Sequence, residues 1–133
     1  MSSPRIEMVR QIYEAFARAD LEAVLAVTDA EVEIRQSAEI PYGGVYHGHT
    51  GFTEFAVNLL GTVEATNNIT EEIFEAGEQV VQRGRARGTV RANGAAYDVS
   101  EVHIWTVSEG GKVTRAEFFI DTPAFLAALN AHA

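Results

Sequence analysis

The chain has no cysteine, which excludes a disulfide framework, a thiol nucleophile and a zinc–thiolate centre. Basic residues are scarce: 10 Lys plus Arg stand against 19 Asp plus Glu, a formal net charge of −9. That is the wrong sign for attracting nucleic acid phosphates or an anionic lipid surface, so neither nucleic acid nor a membrane is an expected partner. Residues 1–30 hold no basic segment followed by a continuous apolar run, the pattern of a secretory leader, and the expected location is the cytoplasm. There is no glycine-rich phosphate loop, so the expected cofactor set is none. Linkers, internal repeats and low-complexity stretches are missing as well. What remains is an ordinary globular composition, 47% hydrophobic and 22% charged over 133 residues. This reads as one domain, residues 1–133, long enough to bury roughly two-thirds of its unfolded surface.

Two periodicities divide the chain. Ser3-Pro4 is a helix start, and Ile6, Val9, Tyr13 and Phe16 follow at helical spacing, predicting a helix over residues 4–18. Asp20 caps a shorter one with Leu21, Val24, Leu25 and Val27 on its apolar side, ending near Asp29. Residues 32–34 read as a short strand. Residues 36–48, which include Pro41, Gly43, Gly44 and Gly48, read as a loop without regular structure. Thr50 is the expected cap of a third helix carrying Phe52, Phe55, Ala56, Leu59 and Leu60. From Asn67 onward the period becomes 2, with β-rich runs near 68–76, 79–91, 96–107 and 112–121, separated by Gly77, Asn93-Gly94 and Glu109-Gly110-Gly111. Turn signals between alternating runs predict an antiparallel meander. Thr122-Pro123 then starts a short closing helix with Phe125, Leu126 and Leu129. The expected class is α+β, a curved antiparallel sheet wrapped around helices.

Short motifs sit on these elements: Tyr13-Glu14-Ala15-Phe16 before Asp20-Leu21, Pro41-Tyr42-Gly43-Gly44, Glu101-Val102-His103-Ile104-Trp105, and Gly111-Lys112-Val113 before Phe119-Ile120-Asp121. With the order of elements, they resemble the SnoaL-like branch of the nuclear transport factor 2-like superfamily over nearly the whole chain. The resemblance implies a cone-shaped α+β barrel with an apolar pocket between sheet and helices, in a group that includes ketosteroid isomerase, limonene epoxide hydrolase, scytalone dehydratase and polyketide cyclases. Carried over by position, their catalytic sets are incomplete. The isomerase's base position falls on Ile34, and its oxyanion-hole positions fall on Ile12 and His103. The epoxide hydrolase triad falls on Gly84, Ala86 and Phe118. The cyclases' histidine falls on His103, and their acid position on Phe118. The resemblance thus implies a pocket with a histidine and no complete known mechanism.

Val99, Glu101, His103 and Trp105 alternate on one strand face, with Val102, Ile104 and Thr106 on the other; the resemblance turns His103 and Trp105 toward the pocket. A neutral imidazole both donates and accepts a proton near pH 7, which makes His103 a candidate shuttle with Glu101 as its candidate partner. The alternative is a buried histidine satisfied by Glu101 or Tyr42. Gln36 shares a face with Ile34 if the strand runs that far, and would present an amide to the pocket; a solvent-facing loop glutamine is the plainer alternative. Tyr42 either closes the pocket mouth or merely covers its loop. Tyr13, Phe16, Phe52, Phe55, Trp105 and Phe118 are the expected aromatic lining or floor, suited to a flat or cyclic apolar molecule. His47 and His49 point the same way from an extended segment, but two imidazoles without a third ligand do not make a catalytic zinc site; no metal is expected. Arg83, Arg85, Arg87 and Arg91 form a basic stripe read as a cross-strand ion-pair network on the outer face, with Arg115 and Glu117 as further members. Opposite it, Gly84, Ala86 and Gly88 would leave room for a ligand.

The leading expectation is therefore a protein that binds a small apolar, cyclic metabolite through Tyr13, Ile34, Gln36, Tyr42, Phe55, Trp105 and Phe118, with acid–base catalysis of isomerase, dehydratase or cyclase type at His103 and Glu101. The alternative is a non-catalytic ligand-binding or dimerisation module of the same fold. A homodimer is expected through the outer sheet face, where Val102, Ile104 and Phe119 would otherwise meet solvent.

Overall fold

Ser3 opens the first helix as its position predicts: its Oγ accepts a hydrogen bond from the Ile6 amide at 3.1 Å, one residue ahead of Pro4. In the computed structural model, which describes residues 3–131 apart from the side chains of residues 65–68, this helix is α1 (Pro4–Ala17). Asp20 caps α2 (Leu21–Ala26) through the Ala23 amide. The chain continues as β1 (Thr28–Gln36), β2 (Gly44–His47), α3 (Gly48–Thr62), β3 (Val63–Ala76), β4 (Gln79–Val90), β5 (Ala96–Val107), β6 (Val113–Ile120) and α4 (Thr122–Leu129).

The six strands form one sheet in the order β2-β1-β6-β5-β4-β3. The last four strands are the expected antiparallel meander, while β1 joins it parallel to β6. The sheet curls into a half-barrel around the helices. Period-2 alternation is visible in its burial. On β5, Tyr97, Val99, Glu101, Trp105 and Val107 are buried, whereas Asp98 and Ser100 are exposed. The core that fills the concave side is built on Val9 and Ile12 of α1, Ile34 of β1, Phe52 of α3 and Phe125 of α4, among others. No described helix is long and apolar enough to cross a membrane.

Several boundaries differ from expectation. The first strand is nine residues rather than three: the alternation of Val32 and Ile34 inward with Glu33 and Arg35 outward is broken at its start by a register irregularity between Thr28 and Glu33. Residues 36–48 are not wholly irregular: a turn closed by the Gly43 amide on the Ile40 carbonyl (2.7 Å) leads into β2, which pairs with the end of β1. Helix α3 starts at Gly48 after His47, without a side-chain cap, so Thr50 lies inside its first turn. Asp121, not Thr122, caps α4.

The arginine stripe is a cross-strand network as expected. Arg85 and Arg87 both hold Asp98, at 2.6 and 3.1 Å, and Arg83 reaches Glu71 at 3.0 Å. Arg115 belongs to a separate group with Glu33 and Glu117. These pairs are solvent-exposed and worth about 0–1 kcal/mol each.

Candidate functional site

Between the concave sheet face and the helices lies a cavity of about 290 Å³. Helix α1 contributes Tyr13 and Phe16, three residues apart and therefore on one helix face, and α3 contributes Phe55 and Leu59. Gln36 enters from the end of β1 and Tyr42 from the turn before β2. Strand β5 supplies Tyr97, Glu101, His103 and Trp105 at alternate positions, β6 supplies Phe118, and α4 closes one end with Phe125.

The aromatic rings interlock. Phe118 stacks on Phe55 with centroids 5.4 Å apart and meets His103 edge-on at 4.8 Å. Tyr42 packs edge-to-face against Phe55 and Phe125. Such pairs add about 0.5–1.5 kcal/mol each beyond the area they bury, so the walls are held in shape before any ligand arrives.

A chain of polar contacts runs through one wall. The Trp105 indole can only donate, and its Nε1–H donates to the Tyr13 hydroxyl oxygen at 2.9 Å. Tyr13 Oη lies 2.8 Å from His103 Nδ1, in hydrogen-bond contact with it. The other imidazole nitrogen, Nε2, sits 3.4 Å from Glu101 Oε1. Trp105, Tyr13, His103 and Glu101 thus form one continuous chain of polar contacts.

Burial dominates the electrostatics here. Glu101 is 3% exposed, and loss of water around its carboxyl pushes its pKa up to about 7, with the Gln82 side chain pulling partly the other way. Desolvation holds the His103 imidazole far below its ordinary value, at about 3. The same cause raises Tyr13 and Tyr42 well above the usual phenol range. Near pH 6 the pair is therefore neutral, with Glu101 the group that changes charge close to neutrality.

Of the residues singled out in the sequence, Tyr13, Gln36, Tyr42, Phe55, Glu101, His103, Trp105 and Phe118 come together around this cavity. Ile34 does not: it is fully buried in the core and does not line the cavity. Phe52 is likewise core, packed against Phe16. Ile12, on which the isomerase-like position falls, is buried, and the phenol that reaches His103 belongs to the next residue, Tyr13. Tyr42 is a buried wall, 5% exposed, rather than a flap over the mouth. Gln36 lines the cavity, with its Nε2 enclosed and unpartnered.

Of the three small residues on β4, only Ala86 opens onto the cavity. A Cβ on Gly88 would meet the Tyr97 hydroxyl at 2.6 Å, so that space is already filled, and one on Gly84 would collide with the Ile69 carbonyl and lie 2.7 Å from Gln82 Nε2. His49 Nε2 contacts the Thr28 carbonyl at 2.7 Å, and among the described residues no three His, Asp or Glu side chains converge on one point. Tyr97 and Phe125 also line the cavity; Tyr97 shares the alternation of Glu101 and His103 along β5, whereas Phe125 reaches it from the closing helix.

Set beside known proteins, residues 9–116 match the family described as a SnoaL-like domain. No curated protein matches the chain. Among solved structures, an NTF2-like protein of unknown function from Burkholderia pseudomallei is 30% identical, with a TM-score of 0.89 over 98% of this chain and 100% of that one. TerC, co-crystallised with polyporic acid, is 29% identical with a TM-score of 0.86, covering 97% and 100% of the two chains. A protein from Catenulispora acidiphila with a ketosteroid isomerase-like fold, in complex with trimethylamine, shares 15% identity at a TM-score of 0.79 over 92% and 91%, a likeness of fold alone.

Proposed function

This chain belongs to the SnoaL-like domain family, and we propose that it binds a small, largely apolar cyclic metabolite in the aromatic cavity and moves a proton on it through Glu101 and His103, in a reaction of isomerase, dehydratase or cyclase type. The observation that carries this reading is the relay from Trp105 through Tyr13 and His103 to Glu101, a carboxyl poised to change charge near pH 7 at the wall of the cavity. A group whose proton affinity matches the ambient pH is the most efficient acid or base. That TerC, of similar sequence, was crystallised with polyporic acid agrees with a small-molecule occupant.

One observation favours a second reading, a binding module without chemistry. Both His103 nitrogens already face partners inside the protein, as they do in a purely structural histidine. Calorimetric binding and turnover assays over cyclic ketones, epoxides and hydroxylated aromatics separate the two. Catalysis predicts that Glu101→Gln and His103→Gln keep ligand affinity within about tenfold and lose about 10²–10⁴-fold in rate. Binding without conversion of any bound compound would favour the second reading.

For the assembly we propose a homodimer through the convex sheet face. Phe74, Val81 and Ile104 lie in register across β3, β4 and β5, and Val102 lies beside Phe119. Phe119 and Phe74 are 51% and 44% exposed, and this apolar row is bordered by the arginine network, the arrangement of an interface core with a charged rim.

A further inference from the structure

Gln82 is 0% exposed, yet it does not line the cavity and no residue of the relay accounts for it. A fully buried amide is costly unless its hydrogen bonds are used. Its Nε2 donates to Thr70 Oγ1 at 3.1 Å and lies over Gly84, where a Cβ would come within 2.7 Å of it. Gly84 is directly opposite Glu101, and Gln82 opposite His103, in the β4–β5 register. The register therefore sets the Gln82 amide diagonally across from the Glu101 carboxyl, over Gly84. Glu101 Oε1 faces His103, while Oε2 is enclosed and has no aligned partner among the described residues. Gln82 Oε1 is likewise enclosed without a partner among the described residues, and no side chain stands at Gly84 between the Gln82 amide and the Glu101 carboxyl.

We propose that Gln82 is a positioning residue for Glu101: its amide, passing over Gly84, orients the carboxyl from behind the cavity wall and sets how readily it gives up its proton. A donor on the carboxylate favours the charged form, so Gln82 offsets part of what burial does. The ionisable groups facing Glu101 are His103 and Tyr97 on its own strand, Tyr13 from α1 and Tyr42 from the turn before β2. His103 loses its charge far below neutrality, and the three phenols keep their protons to about pH 12 or beyond. Between pH 5 and 9 the site's response belongs to Glu101.

The proposal builds on the reading of Glu101 as the proton-carrying group, but its test needs neither ligand nor turnover. In the free protein, NMR follows the Glu101 carboxyl carbon and the Gln82 side-chain amide through a pH titration. Expected are one shared midpoint, near 7, and loss of the amide inflection in Glu101→Gln. In Gln82→Leu the Glu101 midpoint moves up by about one pH unit, a tenfold rise in proton affinity. An amide signal that stays flat while Glu101 titrates overturns the proposal, and so does an unchanged midpoint in a folded Gln82→Leu protein. Should Gln82→Leu fail to fold, the wild-type amide titration decides alone. Failure to find a ligand would count against the proposed function and leave this result standing.

Discussion

The Tyr13 hydroxyl and His103 Nδ1 lie 2.8 Å apart, joining residues separated by 90 positions in the chain. Trp105 donates to the same hydroxyl, so Tyr13 is the shared hydrogen-bond partner of two side chains. Replacing it with Phe therefore strands two buried groups at once. We expect Tyr13→Phe to lose about 2–6 kcal/mol in urea unfolding, at about 1–3 kcal/mol for each of the two unsatisfied groups. A loss below about 0.5 kcal/mol would show that the three side chains are not linked as described. In the same variant, nitrogen chemical shifts of the ring should show His103 no longer held as a single tautomer.

The buried pair also predicts how stability depends on pH, because its two members pull in opposite directions. Glu101 titrates near 7 in the folded chain against 4.5 for an ordinary glutamate, so between those values the folded state holds the extra proton and stability falls as pH rises. His103 titrates near 3 against an ordinary 6.5, so between those values the unfolded state holds the extra proton and stability falls as pH drops. From about pH 4.5 to 6.5 the two slopes cancel. Glu101→Gln should expose the histidine slope, up to about 1.4 kcal/mol per pH unit, and His103→Gln should expose the opposite one. Denaturation series at half-unit steps would reveal this. Parallel curves for wild type and both variants would contradict it.

If the convex face pairs two copies, Ile104→Lys places a charge at its centre and strips that charge of water. Static light scattering at micromolar concentration should give twice the chain mass for the wild type and the single mass for the variant. A wild-type monomer would refute the dimer, and an unaltered dimer in the variant would place the interface on another surface.

Chelation should change nothing. His49 is committed to the Thr28 carbonyl, and among the described residues no third ligand joins His47 and His49. EDTA is expected to leave the Tm within about a degree. A clear drop that zinc restores would establish a metal site the two histidines take part in.

The sequence was most legible where periodicity and burial coincide. Strands β4 and β5 alternate cleanly, and their ends fall within a residue of expectation; Ser3 and Asp20 mark helix starts because a short polar side chain before an apolar repeat has few other uses. Strand β1 was under-read since its alternation is broken at the register irregularity between Thr28 and Glu33, and β2 was missed because four residues flanked by glycines carry too little pattern to register. Within the site, alternation placed His103 with Glu101 and Trp105, but it has no access to distances. That Tyr13 rather than Ile12 meets the imidazole, that Ile34 is core, and that Gly84 and Gly88 are occupied space all follow from how the sheet curls. Curvature is a property of the whole sheet and is written in no single segment.

The parallel pairing of β1 with β6 has a bearing on how the protein comes into being. Ile34 lies beside Ala116 in that pairing, so β1 waits for β6, made much later, before its second edge is covered. Joining segments that far apart is entropically slow and exposes unpaired strand edges in the meantime. A chain released before residue 120 has no complete wall opposite Phe55, and the cavity does not exist in any partial product. Because β6 pairs with both β1 and β5, a lesion in that strand disturbs both ends of the chain at once.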